Sequence, residues 1–504
     1  MAKPDGTGAT IKKGGTKKMR GVLTFLSDSE VEQIHEASLW ILKKTGVRIL
    51  SEKVRKLLAE NGAEIDGDIV KIPKPVVEEA VRRAPREIIL GARDPKCDLK
   101  IPAEEFPFMS ASGLSPFVDD FETGERRYST ASDLKDFALV CDYLDTVDFF
   151  SPAVIPNDVP PPFQELHKAA IAIRNNRKHF QGGSITEKMA QWQVRLASAI
   201  VGGEAELRRR PIFSMVNCPV APLTFEKGAA EAMVVLARAG IPIAPMTMVL
   251  GGTTAPATIA GILAMANAEE LASLVIIECA NPGAPMIYCS EAAPANMKTG
   301  AINYDAPEYP LIGAGCAQMA RFHKIPNFVG DISPADRLSE PASPGHRADT
   351  MADVKSSMLR MAISWMARTD MTAWFGGVDL AISAALDKLV LDAETYEHAR
   401  AYLRRFEVND DTLALDVIHK VGPGGHFLDT KHTLAHFKKE IWSRELSDTF
   451  ILDPAAKGSF IEKAQTKVRE ILATHRAPLI EEAVVKEMKR IIKDAERDIG
   501  GEQK

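Results

Sequence analysis

"IPIAPMTMVLGGTTAPATIAGILAMANAEELASLVIIECANPGAPMIYCSEAA", residues 241–293, holds two short apolar runs with one long helix-forming stretch between them. The runs from Ile241 and Pro285 are too short and too evenly apolar to be half-exposed strands, and they read as strands buried on both faces. The stretch 259–280 reads as a helix. Strand, glycine-marked turn, helix and second strand make one βα repeat with the next strand begun.

The same unit recurs in both directions along the chain. Apolar runs begin at Phe106 ("FPFMSASG"), Val147 ("VDFFSPAVIP"), Lys178 ("KHFQGGSI") and Pro211 ("PIFSMVNCPV"), then at Ile241, Pro285, Pro326 ("PNFVGDIS") and Thr372 ("TAWFGGVD"). Eight strands alternating with helices predict an α/β fold, a (β/α)8 TIM barrel over residues 96–390. An open doubly wound sheet is the alternative, and it lacks a GxGxxG turn. Residues 1–20 read as a basic flexible tail and 21–95 as an N-terminal helical cap, opened by a capping box at Ser27 and Glu30 and stopped at Gly46. Residues 391–504 read as a C-terminal extension with the Gly-rich "GPGGHFL" and helices, the last of them strongly amphipathic.

The 504 residues carry a net charge of −6, which gives no reason to expect nucleic acid or an anionic membrane as partner. No apolar run is read as membrane-crossing, and the N-terminus has no signal-peptide core, so a cytoplasmic enzyme is expected. The six cysteines lack CxxC spacing. They are read as no zinc or iron–sulfur site and the histidines as showing no HExxH or HxxxH pair, so no metal is expected.

In a barrel, chemistry gathers where strands end. Those ends carry Ser112 and Gly113, Asn157 and Asp158, Gly182 and Gly183, Asn217 and Cys218, Gly251 to Thr254, Ser290 and Glu291, Gly330 to Ser333, and Gly376 to Asp379. The aromatics Phe108, Tyr288, Phe328, Trp374 and Phe375 offer a wall for a quaternary ammonium ion through cation–π attraction, or plain core. "GGTTAPATIAG" reads as an anion site at a helix start, or as simple N-capping by Thr253 or Thr254. Cys289 beside Glu291 reads as a nucleophile or as core.

Several stretches resemble the trimethylamine methyltransferase family of amine:corrinoid methyltransferases. They include "RPIFSMVNCPVAPL", the quoted 241–293, "PNFVGD", "GHRADTMADVKSSML" and "KVGPGGHFL". The resemblance implies a TIM barrel and a methyl acceptor, cobalamin, that is carried by a separate corrinoid protein and not bound permanently here. It further implies pyrrolysine where this chain has Ile332, between Asp331 and Ser333. A pyrrolysine-free member is thus expected, acting on a small methylated amine of quaternary, betaine type such as glycine betaine. Glu291, Asp331 and Ile332 are expected at the reacting centre, with Tyr288, Phe328, Trp374, Phe108, His167 and Gly330 around the substrate. Gly251, Gly252, Thr253 and His426 are expected to face the partner's cofactor. His167, Arg174, Arg337, His346 and the amides of 251–254 are candidates for a betaine carboxylate. A homo-oligomer is expected. The alternatives are an inactive amine-binding barrel serving as a sensor, a methyltransferase for trimethylamine or another methylamine, and a hydrolase using Cys289, Glu291 or His167.

Overall fold

The computed structural model describes residues 22–111, 113–304, 306–329, 350–379, 381–404, 406–440 and 460–501. Each of the eight apolar runs contains a strand. These are, first to eighth, Phe108–Ala111, Phe149–Phe150, His179–Gly183, Phe213–Val216, Ile243–Ala244 with Met246–Thr247, Tyr288–Ser290, Asn327–Val329 and Met371–Phe375. A helix follows each: Ala131–Tyr143, Gln164–Asn175, Glu187–Val201, Lys227–Ala239, Ile259–Ala280, Glu308–His323, Thr350–Met366 and Leu386–Leu403.

The strands pair in parallel in chain order from the second to the eighth, and the eighth pairs in parallel with the first. Between the first and second, the Asp148 N–H donates to the Met109 carbonyl at 2.8 Å and the Met109 N–H to Asp148 Oδ2 at 2.9 Å. The molecule is an α/β fold whose strand order is cyclic.

Alternate residues on these strands separate into two cores. Phe149, Ala244, Ile287, Cys289, Phe328, Met371 and Ala373 meet inside the strands, together with Ile88, Leu90 and Ile101 of the antiparallel pair Ile88–Leu90 and Leu99–Ile101. That pair is anchored at the start of the strands. Asp370, just before the eighth strand, accepts from the Ala103 N–H at 2.9 Å and the Asn327 N–H at 2.8 Å. An N-terminal hairpin thus closes one end of the strand cycle, leaving the C-terminal ends as the side where a site can open.

The N-terminal helix Asp28–Trp40 has its capping box at Ser27 and Glu30, and Gly46 ends the following turn at φ 77°. The three-residue strands Val47–Ile49 and Glu64–Asp66 were not expected. The former pairs in parallel with Thr224–Phe225, so the cap is stitched to the chain beyond the fourth strand. Helix Glu482–Gly501 buries Met488, Ile491 and Ala495 and packs on helix Glu187–Val201.

Helix Ile259–Ala280 corrects the view that no apolar run could cross a bilayer: its length and composition suffice. It is instead a core helix, packed on Asp28–Trp40, Lys74–Arg83, Lys227–Ala239 and Glu308–His323. It buries Glu269 and Glu270. Burial raises the Glu269 carboxyl to about 7 although it accepts from the Leu223 N–H, and raises Glu270 well above the ordinary range. With folded-state values above unfolded ones, the native chain keeps protons that the unfolded chain releases as pH rises from about 4.5. Stability is therefore lost as pH climbs through about 7, and Glu270→Gln is expected to raise the unfolding free energy, measured by urea titration, at about pH 8 by on the order of 1–3 kcal/mol, and less at about pH 5. An equal effect at both pH values would show that Glu270 is ionised in the native state.

Candidate active site

Strand parity decides what faces the interior. On the sixth strand Cys289 lies in the inner core, whereas Tyr288 points outward, its hydroxyl 3.4 Å from Asn267 of helix Ile259–Ala280. Ser290 also points outward, bonded to Thr247 and Cys316. The next residue, Glu291, is buried at 6% exposure. Its two oxygens have separate donors: Trp374 Nε1 at 3.2 Å and the Tyr304 hydroxyl at 3.4 Å.

Trp374 reaches that carboxylate through a break in the eighth strand. Alternation from Met371 and Ala373 would turn residue 374 outward, but the pairing register shifts between Thr372 and Phe375 and Trp374 adopts φ 97°. A non-glycine residue there is strained, and a bulge of this kind re-aims a side chain. Phe375 packs outward on Tyr396 instead. The Trp374 ring lies 5.8 Å from Tyr304, which meets Tyr309 at 5.1 Å. The result is a buried carboxylate flanked by two aromatic residues, Trp374 and Tyr304, with Tyr309 packed behind Tyr304, a complement to a desolvated organic cation. Tyr304 and Tyr309 stand at no strand end, so a reading of strand ends does not reach them; "NYDAPEY", running from beyond the sixth strand into its helix, is the signal the sequence carries.

Cys218, just beyond the fourth strand, and Cys289 both feel the Glu291 charge, and Cys218 is exposed at the surface although its thiol is tucked among neighbouring atoms. Burial, and then the Glu291 carboxylate, push it up to about 11. Cys289 is fully buried and its thiol is raised well above the ordinary range, so neither is a ready nucleophile.

The other expected residues do not converge. Tyr288 is corrected by parity to the outer core. His167 is corrected to the outer surface, where Nε2 meets Glu496 of the terminal helix at 2.9 Å. Gly251, Gly252 and Thr253 are corrected from an anion site. The N–H groups of Thr253, Thr254 and Ala255 all donate to the Leu250 carbonyl, that of Gly252 donates to Ala255, and the helix cap is Thr258. Gly251 is required by packing, since a Cβ there would lie 2.4 Å from Ile262 Cδ1. His426 sits on an exposed loop with Asp429 at 3.6 Å. Phe328 and Phe108 do face the interior, in register with Cys289 and Met371 and so nearer the strand starts than Glu291. Gly330, Asp331, Ile332, Arg337 and His346 lie outside the described residues. The reading that no histidines stand at metal-ligand spacing is also corrected: His432 and His436 do.

The sequence pattern of the family described as trimethylamine methyltransferase matches residues 7–500. The chain belongs to this family. A trimethylamine methyltransferase (MttB) of Desulfitobacterium hafniense strain DCB-2 is 29% identical, with 97% of this chain and 98% of the relative covered. A glycine betaine methyltransferase of Desulfitobacterium hafniense strain Y51 is 28% identical, with 95% and 98% covered. The crystal structure of the Methanosarcina barkeri monomethylamine methyltransferase aligns at TM-score 0.43 and 10% identity over 94% of this chain and 92% of that one, too weak a likeness to carry an argument. As a family member the chain is a methyltransferase, and Glu291 with Trp374 and Tyr304 is its candidate substrate site.

Proposed function

We propose that this methyltransferase takes a methyl group from a quaternary amine of betaine type and passes it to the cobalamin of a separate corrinoid protein, from a (β/α)8 barrel spanning residues 96–390. The cap 21–95 and the extension 391–504 flank it, and the enzyme works in the cytoplasm as a homo-oligomer. The observation that carries the reading is the Glu291 carboxylate held between Trp374 and Tyr304. That arrangement complements a fixed positive charge, and its one hydroxyl, on Tyr304, is turned to the carboxylate rather than offered as an acid to a leaving group.

A quaternary nitrogen needs none. When its methyl carbon is attacked, the C–N bond breaks, the electron pair stays on nitrogen and a neutral tertiary amine departs. The corrinoid, when the partner presents it, supplies the attacking centre. The chain's own residues position the cation through Glu291 and the rings, and Phe328 and Cys289 keep the interior beneath them dry. Ile332 in the place of pyrrolysine fits this reading, because an inert side chain suffices where no activation is required.

The test combines the purified chain, its corrinoid protein reduced to Co(I), and glycine betaine, carnitine or trimethylamine, with corrinoid methylation followed by absorbance. A quaternary amine should react and trimethylamine should not; reaction with trimethylamine alone would overturn the proposal. Trp374→Leu should weaken binding of the reactive amine by about 0.5–2 kcal/mol. Unchanged affinity would place the cation elsewhere.

A further inference from the structure

Beyond the ring's last helix, the chain forms three short helices, Asp410–Leu413, Leu415–Val421 and Lys431–Glu440. His432 and His436 stand one turn apart on the third of them, and so on one face. Their imidazole rings stack at 4.2 Å with planes 26° apart. Both are aimed at one residue of the first helix. His436 Nε2 lies 3.2 Å from Asp411 Oδ2, and His432 Nε2 lies 2.9 Å from the Asp411 main-chain carbonyl.

Asp411 is itself held in place. Asn409 caps its helix by accepting from the Thr412 N–H, and Ala414 ends it at φ 52°. One ligand atom from each of Asp411, His432 and His436 falls within 4.8 Å of the others. In a tetrahedral zinc site with bonds of about 2.0–2.1 Å, neighbouring ligand atoms lie about 3.3 Å apart. The His436 Nε2–Asp411 Oδ2 separation of 3.2 Å already matches that edge, and His432, bonded to the Asp411 main-chain carbonyl, has a ring nitrogen within 4.8 Å of both ligand atoms. Two imidazoles and one carboxylate suit zinc and its transition-metal neighbours, and do not suit calcium or magnesium, which prefer all-oxygen shells.

We propose that Asp411, His432 and His436 form a zinc-class divalent-cation site that clips helix Lys431–Glu440 to the turn at Asp411. The span between the ligands contains "GPGGHFL", whose Phe427 and Leu428 are 43% and 85% exposed. The ion would therefore fix how that glycine-rich loop presents two apolar side chains to solvent. Water completes the shell at the exposed side of Asp411. Ligation takes neutral imidazoles, so affinity falls as pH drops and protons compete.

The full-length chain, freed of any affinity tag and stripped with a chelator, is titrated with zinc chloride by calorimetry. Uptake of about one equivalent is expected. It should be lost in His432→Ala and in His436→Ala, whose melting without zinc matches the stripped parent, and weakened in Asp411→Asn. Protection of His432 and His436 from imidazole acylation by zinc gives a second reading on the unaltered chain. Absence of stoichiometric uptake, uptake that survives in the two histidine variants together, or acylation unaffected by zinc would each overturn the proposal.

Discussion

Glu291→Gln is expected to raise the substrate's dissociation constant about a hundredfold, near 3 kcal/mol, while leaving kcat close to that of the parent. The amide keeps an acceptor for Trp374 and a polar neighbour for Tyr304, so the change removes charge and little shape. The reasoning on kcat follows from where charge sits during the reaction. The nitrogen is fully positive in the bound substrate and becomes neutral as the methyl group leaves. A carboxylate beside it therefore favours the ground state at least as much as the transition state, and its loss appears in binding. Titration calorimetry with the reactive amine, beside single-turnover methylation, separates the two. Normal binding with a collapsed rate would assign Glu291 to the chemical step.

Asp370→Ala should be the most damaging single change to stability described here, costing about 3–5 kcal/mol. The Asp370 carboxylate takes the backbone N–H of Ala103 and of Asn327, plus the Asn327 side-chain amide at 3.0 Å. Burial raises this carboxyl to about 6 even though those donors lower it. Alanine would strand the buried Asn327 N–H and the half-buried Ala103 N–H and unfasten the hairpin from the seventh strand. The urea midpoint should fall sharply; an unchanged midpoint would show that the hairpin is held by apolar contacts alone.

The alternation of strands and helices was legible because buried parallel strands appear as short apolar runs between helical stretches, as the eight runs from Phe106 to Thr372 show. Which face of a strand points inward was not. Tyr288, Cys289 and Ser290 are all buried, so the sixth strand has no polar face to mark its orientation. Trp374 was expected around the substrate from its place at a strand end, yet its direction depends on a bulge that no local residue announces. His167 was drawn outward by Glu496, 329 positions away, a separation no motif spans. Thr253 and Thr254 were plausible caps, but the turn they occupy closes on Leu250 and leaves capping to Thr258.

The hairpin beneath the strands has a consequence for how the chain comes to be folded. Ile88, Leu90 and Ile101 find their partners Met371 and Ala373 some 270 residues later in the sequence. A chain emerging from the ribosome must carry that apolar ribbon incompletely matched until about three-quarters of the enzyme has been synthesised. Contacts so distant make folding slow and leave sticky intermediates long-lived. A fragment beginning at the first strand would lack the ribbon altogether, and its strand cycle would form with a hydrophobic opening at the base.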